Sequence, residues 1–367
     1  MQRFSSFRDF DWTLLSLVGI LSLISVLEIR SATAMTKFHD FDHKQIGFLL
    51  GGFALMFLIS LVDYHRLIDI APWAWGVSIV ALIAVKLFGT KVLGGKRWIA
   101  IPHTGIHFQP SEWVKLVLIL VLARFFWSRA GRPLTWSDIG KAFFLVGVPL
   151  LFVLKQPDLG TSLTYVPILV IGLFLGGISF RQAAVLIVAF LIVGVAVVKS
   201  GKVLKPFQVA RLTSFMDPDV DPRGTGYQIR QSMIAVGAGG VWGRGANHGT
   251  QTQGDFLPIP YTDFIFAALS EEHGFIGAIS VLLLYFLILM RLIQNAQTAS
   301  DLPGTFIIMG IVAVMVFQIA VNVGMVVDLM PVTGIPLPLL SYGGSSVLFT
   351  FLSLGIVMNI RMRRFVN

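Results

Sequence analysis

Cysteine is absent from the 367 residues, so disulfides and thiolate chemistry are excluded, and a zinc site would need histidines and carboxylates. Charge is scarce: 13% of residues are Asp, Glu, Lys or Arg, against roughly a quarter in a soluble domain. The sequence has no Walker motif and supports no Ser-His-Asp arrangement, which disfavours ATP-driven transport and serine hydrolysis. No basic arm accompanies the net charge of +9, so nucleic acid is not an expected partner. Basic residues spread over loops suit a chain held against anionic membrane lipids, or one that binds phosphate. There is no internal repeat and no separate soluble domain, so residues 1–367 read as a single unit.

Apolar residues are abundant, at 55%. They gather in ten runs of near-spanning length: Trp12–Arg30, Ile46–Val62, Ala71–Gly89, Glu112–Trp127, Gly140–Leu154, Thr161–Gly177, Gln182–Val198, Phe264–Met290, Thr305–Val327 and Ser346–Ile360. The runs do not alternate apolar and polar residues, so they read as helices rather than barrel strands. The expected fold is an all-α integral membrane protein, a polytopic bundle of about ten transmembrane helices. The eighth run carries Glu271, Glu272 and Gly274 and is expected to be tilted or broken. The first run and "SATA" resemble a signal peptide, but Glu28 and Arg30 interrupt the approach to the site, so a retained helix is the better reading. Arg3 and Arg8, then Arg124, Arg129, Arg132 and Lys141, then Arg361, Arg363 and Arg364 fall on one side of a ten-span chain. That side is expected to be cytoplasmic, with both termini on it.

The opposite side holds the polar segments "FHDFDHKQ", "GGKRWIAIPHTGIHFQPSE", "KQPDLGTS", a long extracytoplasmic loop over 199–262 between the seventh and eighth spans, and "PVTGIPLPLLSYGGSS". A loop of that length is usually functional. Within it, Tyr227–Val236 has the pattern of an amphipathic helix lying on the membrane. Lys44, Glu112, Lys115, Asp158 and Asp263 stand at the ends of the apolar runs, where ionisable groups are costly and default to function. The plain alternative is helix capping, by Ser111 with Glu112 and by Thr262 with Asp263. Lys115 lies one turn inside an apolar helix and needs a partner such as Asp158. "GAGGVWGRG" lacks the strand and helix of a dinucleotide site; it reads as a turn, or as backbone amides near Arg244 offered to a phosphate. His39/His43 and His103/His107 are spaced four apart, which ligates a metal only on a helix, and "HTGIH" reads as loop. The G-x-x-x-G at Gly47 reads as close helix packing.

"FQPSEWVK", "KQPDLGTS", "DPRGTGYQIRQSMIAVGAGGVWGRG", "TDFIFAALSEEHGFIG" and "GIPLPLLSYGGSS" together resemble the SEDS family (shape, elongation, division and sporulation), from the first span to the tail. Within it the chain is more similar to the elongation member than to the division one. The resemblance implies a peptidoglycan glycosyltransferase that polymerises lipid II at the outer face of the bacterial cytoplasmic (inner) membrane. It implies Mg²⁺ or Mn²⁺ as a divalent cation, a class B penicillin-binding protein (a transpeptidase) as partner, and other membrane proteins of the elongation complex. It places the family's essential aspartate on Asp263, its buried salt bridge on Lys115 and Asp158, and a basic position on Lys44. Ile259 and Tyr261 depart from the family pattern, which has a glutamate and often a histidine there.

The residues suit that chemistry. One carboxylate suffices as general base for attack of a sugar hydroxyl, and a departing pyrophosphate needs positive charge. Asp263 is the expected catalytic base. Lys44, Arg97, Glu112, Lys115, Asp158, Arg211 and Arg244 are the expected substrate contacts, and no metal ligand is assigned. The apolar helices are expected to hold the polyprenyl tails in a lipid-facing groove. Two readings compete: a lipid II flippase, whose ionisable groups would spread through the membrane depth, and a scaffold that only positions the penicillin-binding protein.

Overall fold

The structure, a computed structural model, describes residues 9–36, 38–92, 95–100, 107–200, 206–222 and 224–364. Arg3, Arg8 and His103 lie outside the described residues. Helices occupy all ten predicted stretches: α1 (Trp12–Thr33), α2 (Phe41–Ser60), α3 (Tyr64–Phe88), α4 (Pro110–Trp127), α5 (Trp136–Lys155), the consecutive α6 (Leu159–Leu163) and α7 (Tyr165–Leu175), α8 (Phe180–Ser200), α12 (Ile265–Gln297), α13 (Leu302–Val326) and α14 (Gly344–Met362). Between α8 and α12 lie α9 (Pro206–Met216), α10 (Thr225–Gly239) and the short α11 (Thr250–Gln253). Seven helices, α1, α2, α3, α5, α12, α13 and α14, are long and apolar enough to cross a membrane. The molecule is a polytopic, all-α membrane protein.

The bundle is built around α13 and α14. Of their apolar stretches 61% and 89% is buried inside the protein, against 22–39% for the other five long helices. The outer helices show large apolar side chains such as Trp73, Leu87 and Phe286 on their exposed faces, as lipid contact requires.

At one end, buried Asp11 collects Arg291 Nε (2.9 Å), Asn295 Nδ2 (2.8 Å) and Arg361 Nη1 (3.3 Å), tying α1 to the C-terminal ends of α12 and α14. Arg363 reaches Asp63 at 2.9 Å, and His65 lies between Asp63 (3.0 Å) and Asp301 (2.8 Å). Arg124 and Arg129 occupy the same end, at the C-terminus of α4 and just beyond it.

The opposite end carries one element absent from the sequence reading. Residues Thr90–Val92 (β1), Gly95–Ala100 (β2) and His107–Phe108 (β3) form a small antiparallel sheet in the order β1-β2-β3. Strands of two to six residues rich in Gly and Lys leave no period-2 pattern to read.

The predicted break in α12 falls at Gly274, with φ 66° and ψ −164°. Helical hydrogen bonds cannot cross such a residue, so the freed groups need other partners. The glycine-rich segment after α10 supplies them. Arg244 N donates to Glu271 O (3.0 Å) and Gly245 N to Glu272 O (2.9 Å). In return, Phe275 N and Ile276 N donate to Gly240 O (2.9 Å) and Val241 O (3.2 Å). "GAGGVWGRG" is thus a backbone complement to a broken helix. Its glycines allow the approach: a Cβ on Gly243 (φ +82°) would stand 2.2 Å from Glu272 O. The predicted helix at Tyr227–Val236 forms as part of α10, which packs against α12 and hydrogen-bonds α13 through Ser232 Oγ to Val326 O (2.8 Å).

A Cβ on Gly274 would stand 2.3 Å from Gly243 N, and a backbone at φ +66°, ψ −164° costs an L-residue about 1–3 kcal/mol by itself. Gly274→Ala is therefore expected to lower the apparent Tm in detergent by several degrees. Gly147→Ala, where a Cβ meets nothing within 4 Å, should leave it unchanged or raised. Equal melting of the two variants would contradict this account of the break.

Candidate active site

At the sheet end, a cleft of about 270 Å³ opens between the N-terminal ends of α4, α6, α12 and α14. Its wall includes Arg97 and Trp98 from β2, Gln109 and Glu112 at the start of α4, and Asp158 and Thr161 at the α5–α6 junction. Arg211 of α9, Gln228 of α10, Ile259 and Thr262–Phe264 complete it, with Thr333, Gly334, Tyr342 and Ser346.

Asp263 is part-buried at this wall, two residues before α12. It does not cap that helix, whose cap position is Phe264, with no side-chain cap. Its place is set through the backbone. Tyr261 O accepts from Tyr342 N (2.9 Å), Thr262 O from Ser341 Oγ (2.7 Å) and Asp263 O from Asn322 Nδ2 (3.0 Å). Asn322 Nδ2 also reaches Ile335 O at 2.8 Å, so one buried amide of α13 joins the Asp263 segment to the "GIPLPLLSYGG" loop. The sequence reading missed Asn322 and Ser341. The available signal was a lone Asn inside an apolar helix, where an amide must find partners. Gly334 (φ +72°) lies against the carboxylate: a Cβ there would be 3.4 Å from Asp263 Oδ2.

Burial pushes the Asp263 carboxyl above its ordinary 3.8, while Arg211 and Arg97 pull it back down. Burial likewise lowers the Arg211 guanidinium below its ordinary range, opposed by the Asp263 charge. Both arginines are oriented by fixed acceptors. Arg211 Nη1 donates to Thr333 O (3.1 Å); Arg97 donates to Pro157 O and lies 3.6 Å from Asp158 Oδ1. Asp158 caps α6 through Thr161 N (3.2 Å) and also accepts from Gln109 Nε2 (2.8 Å). Ile259 holds a left-handed φ of 49°, unusual for a β-branched residue, at the cleft wall.

The cleft brings together five of the predicted residues: Asp263, Arg97, Glu112, Asp158 and Arg211. Three others are placed elsewhere. Lys115 is fully buried behind Glu112. Its Nζ lies 2.8 Å from Glu112 Oε2 and 4.2 Å from the centre of the Phe349 ring. The expected Lys115–Asp158 pair is absent among the described residues, because the i,i+3 neighbour is nearer and Asp158 is taken by Arg97, Gln109 and Thr161. Nor does Glu112 cap α4, whose first residues show no side-chain cap. Arg244 points away from the cleft and donates to Ala238 O (3.1 Å), since its loop is engaged with the α12 break. Lys44 is exposed, 5.3 Å from the Phe41 ring, which stacks on the cleft residue Tyr342 at 4.3 Å.

A part-buried carboxyl flanked by two guanidinium groups at one end of a membrane bundle makes a cleft with the charge to hold an anion. The comparisons identify the class. The family model described as "Cell cycle protein", covering FtsW, RodA and SpoVE, matches residues 8–365, and the chain belongs to that family. It is 33% identical to peptidoglycan glycosyltransferase RodA of Treponema pallidum, over 99% of this chain and all of that protein. It is 36% identical to peptidoglycan glycosyltransferase MrdB of Escherichia coli K12, over 96% and 94% of the two chains. A solved chain from a study of how a peptidoglycan synthase complex coordinates polymerization and crosslinking superposes with a TM-score of 0.83 at 32% identity, covering 97% of this chain and 98% of that one.

Removing one member of a buried ion pair typically costs 3–5 kcal/mol, because the other charge is left uncompensated. Lys115→Met is therefore expected to destabilise the protein severely, and Lys115→Met combined with Glu112→Gln to restore much of the loss. Thermal unfolding of both single variants and the double variant measures the coupling. Rescue of Lys115→Met by Asp158→Asn instead would reinstate the long-range pair.

Proposed function

We propose that this chain is a peptidoglycan glycosyltransferase of cell elongation, that lipid II is its donor and its acceptor, and that the transfer takes place in the Asp263 cleft. The observation that carries this reading is the Asp263 carboxyl. It is held by three anchored backbone carbonyls, raised above the ordinary carboxyl range, and faced by Arg97 and Arg211.

Asp263 accepts the proton of the acceptor sugar hydroxyl as that oxygen attacks the anomeric carbon. The bond from that carbon to the lipid pyrophosphate breaks, and the electron pair leaves with the phosphate oxygen. Arg97 and Arg211 neutralise the charge that builds there. A general base of this kind contributes about 10²–10⁴-fold.

Asp158, Asp263 and Glu112 do not converge as a three-ligand set, so the cleft carboxylates would hold Mg²⁺ or Mn²⁺ only together with substrate oxygens. When bound, such a cation supplies further charge neutralisation at the pyrophosphate.

The cleft faces outward in this reading and both termini are cytoplasmic. Supporting that orientation, Arg124, Arg129, Arg361, Arg363 and Arg364 all lie at the opposite end. The partner is a class B penicillin-binding protein of the elongation complex, which crosslinks the strands. Support comes from the similarity to a chain studied within a polymerising and crosslinking complex.

In a polymerisation assay with labelled lipid II, Mg²⁺ or Mn²⁺ and the transpeptidase partner, the wild type is expected to give a glycan ladder, which Asp263→Ala abolishes without lowering Tm or partner binding. A ladder of equal strength from Asp263→Ala would remove Asp263 from the chemistry. Lipid II crossing vesicle membranes without polymerisation would make the protein a transporter.

A pH profile tests the electrostatics. The base works deprotonated, so the acid limb of kcat/KM marks the Asp263 carboxyl. Arg211→Gln removes the main downward pull on that carboxyl, so the limb is expected to move to higher pH. A limb that stays in place would assign the titration to another group.

A further inference from the structure

Two turns into α12, next to the break at Gly274, stands a group of ionisable side chains that glycosyl transfer does not use. Glu28 of α1 and Glu272 and His273 of α12 each offer one donor atom, all within 4.8 Å of one another. None of the three lines the cleft. Glu28 and Glu272 are buried, 2% and 1% exposed, while His273 reaches the surface.

The neighbouring Glu271 shows what a structurally satisfied acid looks like here. Its carboxylate accepts from Gln251 N, Thr252 N, Thr252 Oγ1 and Thr250 Oγ1 at 2.7–3.2 Å. Glu28 has no such set. Its Oε1 meets His273 Nδ1 at 2.9 Å, and its buried Oε2 has no hydrogen-bond partner. Glu272 accepts from the Ser31 hydroxyl and from Gln253 Nε2 at 3.3 Å, and no lysine or arginine pairs with either acid among the described residues. Two adjacent buried carboxylates, one with an orphaned oxygen, and a single imidazole leave negative charge without compensation.

We propose that Glu28, Glu272 and His273 bind a divalent transition-metal ion, Mn²⁺ or Zn²⁺, which clamps α1 to the broken turn of α12. Two carboxylates and one imidazole suit borderline Zn²⁺ and are accepted by the harder Mn²⁺, whereas Mg²⁺ and Ca²⁺ prefer oxygen-only sets. Modest side-chain rotation brings the three donors to a common point about 2.0–2.2 Å from each. The ion replaces the Glu28–His273 hydrogen bond and engages the orphaned carboxylate. Ser31 Oγ and Gln253 Nε2 hold the Glu272 carboxylate from outside. Exposed His273 gives the ion its way in. By fixing the break, the ion sets the position of the first half of α12, the segment that follows directly from Asp263. The inference does not depend on the role of Asp263.

The test uses the purified full-length protein in lipid nanodiscs and Mn²⁺ as probe, with binding read from the loss of the free-ion EPR signal and Zn²⁺ as competitor. Wild type and Asp263→Ala are expected to bind a Mn²⁺ ion that Zn²⁺ displaces, and to gain thermal stability from it. Glu28→Gln and His273→Asn are expected to bind at least about tenfold more weakly and to lose the stabilisation. His273→Asn alters an exposed side chain, so it decides the matter if Glu28→Gln does not fold. Undiminished binding and stabilisation in His273→Asn would overturn the proposal, as would no binding by the wild type. Loss of the ion in Asp263→Ala alone would place it in the cleft and also overturn the proposal.

Discussion

A chain that leaves helical structure inside a membrane protein must find partners for the backbone groups it frees, and the Asp263 segment finds them for three successive carbonyls on other parts of the fold. Carbonyls of three consecutive residues, Tyr261 to Asp263, are taken by Tyr342 N, Ser341 Oγ and Asn322 Nδ2. The support continues outward. Ser25 Oγ donates to Leu340 O at 2.7 Å and Gln45 Nε2 donates to Ser25 Oγ at 3.1 Å, so α1 and α2 brace the loop that braces Asp263. A carboxylate whose backbone is fixed this way loses little freedom when a substrate arrives. The loop "GIPLPLLSYGG" therefore supports the Asp263 segment from beneath, through its backbone and one serine.

The same constraint governs the break in α12. A glycine there frees amides and carbonyls in mid-helix, and the glycine-rich segment after α10 pairs with them in both directions. The first half of α12 is thus defined at its start by Asn322 and Ser341 and at its end by Arg244 N and Gly245 N. A single continuous helix would transmit any tilt of its inner half straight to Asp263. A helix interrupted and pinned at Gly274 separates the Asp263 end from the span that follows.

What was legible in the sequence follows from the range of each interaction. The apolar runs announced their helices, because burial in lipid is decided residue by residue. Asp263, Asp158 and Glu112 announced themselves as ionisable groups at the ends of those runs, where charge is costly, and Arg97 and Arg211 as cations of the polar outer segments. Partner choice was less legible. Lys115 was matched with Asp158 from membrane cost and family likeness, whereas in the structure it closes on Glu112, one turn away on its own helix. Arg244 was placed near phosphate because glycine-rich loops cradle anions; here that loop spends its amides on α12. The capping reading of Asp263 failed because α12 starts one residue later than a cap at that position requires. Asn322 went unread because one amide in a helix of 25 residues points to a partner only once the fold brings Ile335 and Asp263 alongside.

The charges of the cleft are arranged before any substrate enters. Arg97 rests on Pro157 O and beside Asp158; Arg211 rests on Thr333 O. Neither is left to swing freely, so little reorganisation is needed as charge develops on a leaving pyrophosphate. The same two groups oppose the burial that pushes the Asp263 carboxyl up. In the mechanism we propose, base strength and leaving-group stabilisation are coupled through the same pair of guanidinium groups. There, an incoming anionic substrate would draw on their positive charge, weaken their hold on Asp263 and raise its affinity for a proton, so that substrate binding itself would prepare Asp263 to accept the hydroxyl proton as the pyrophosphate leaves.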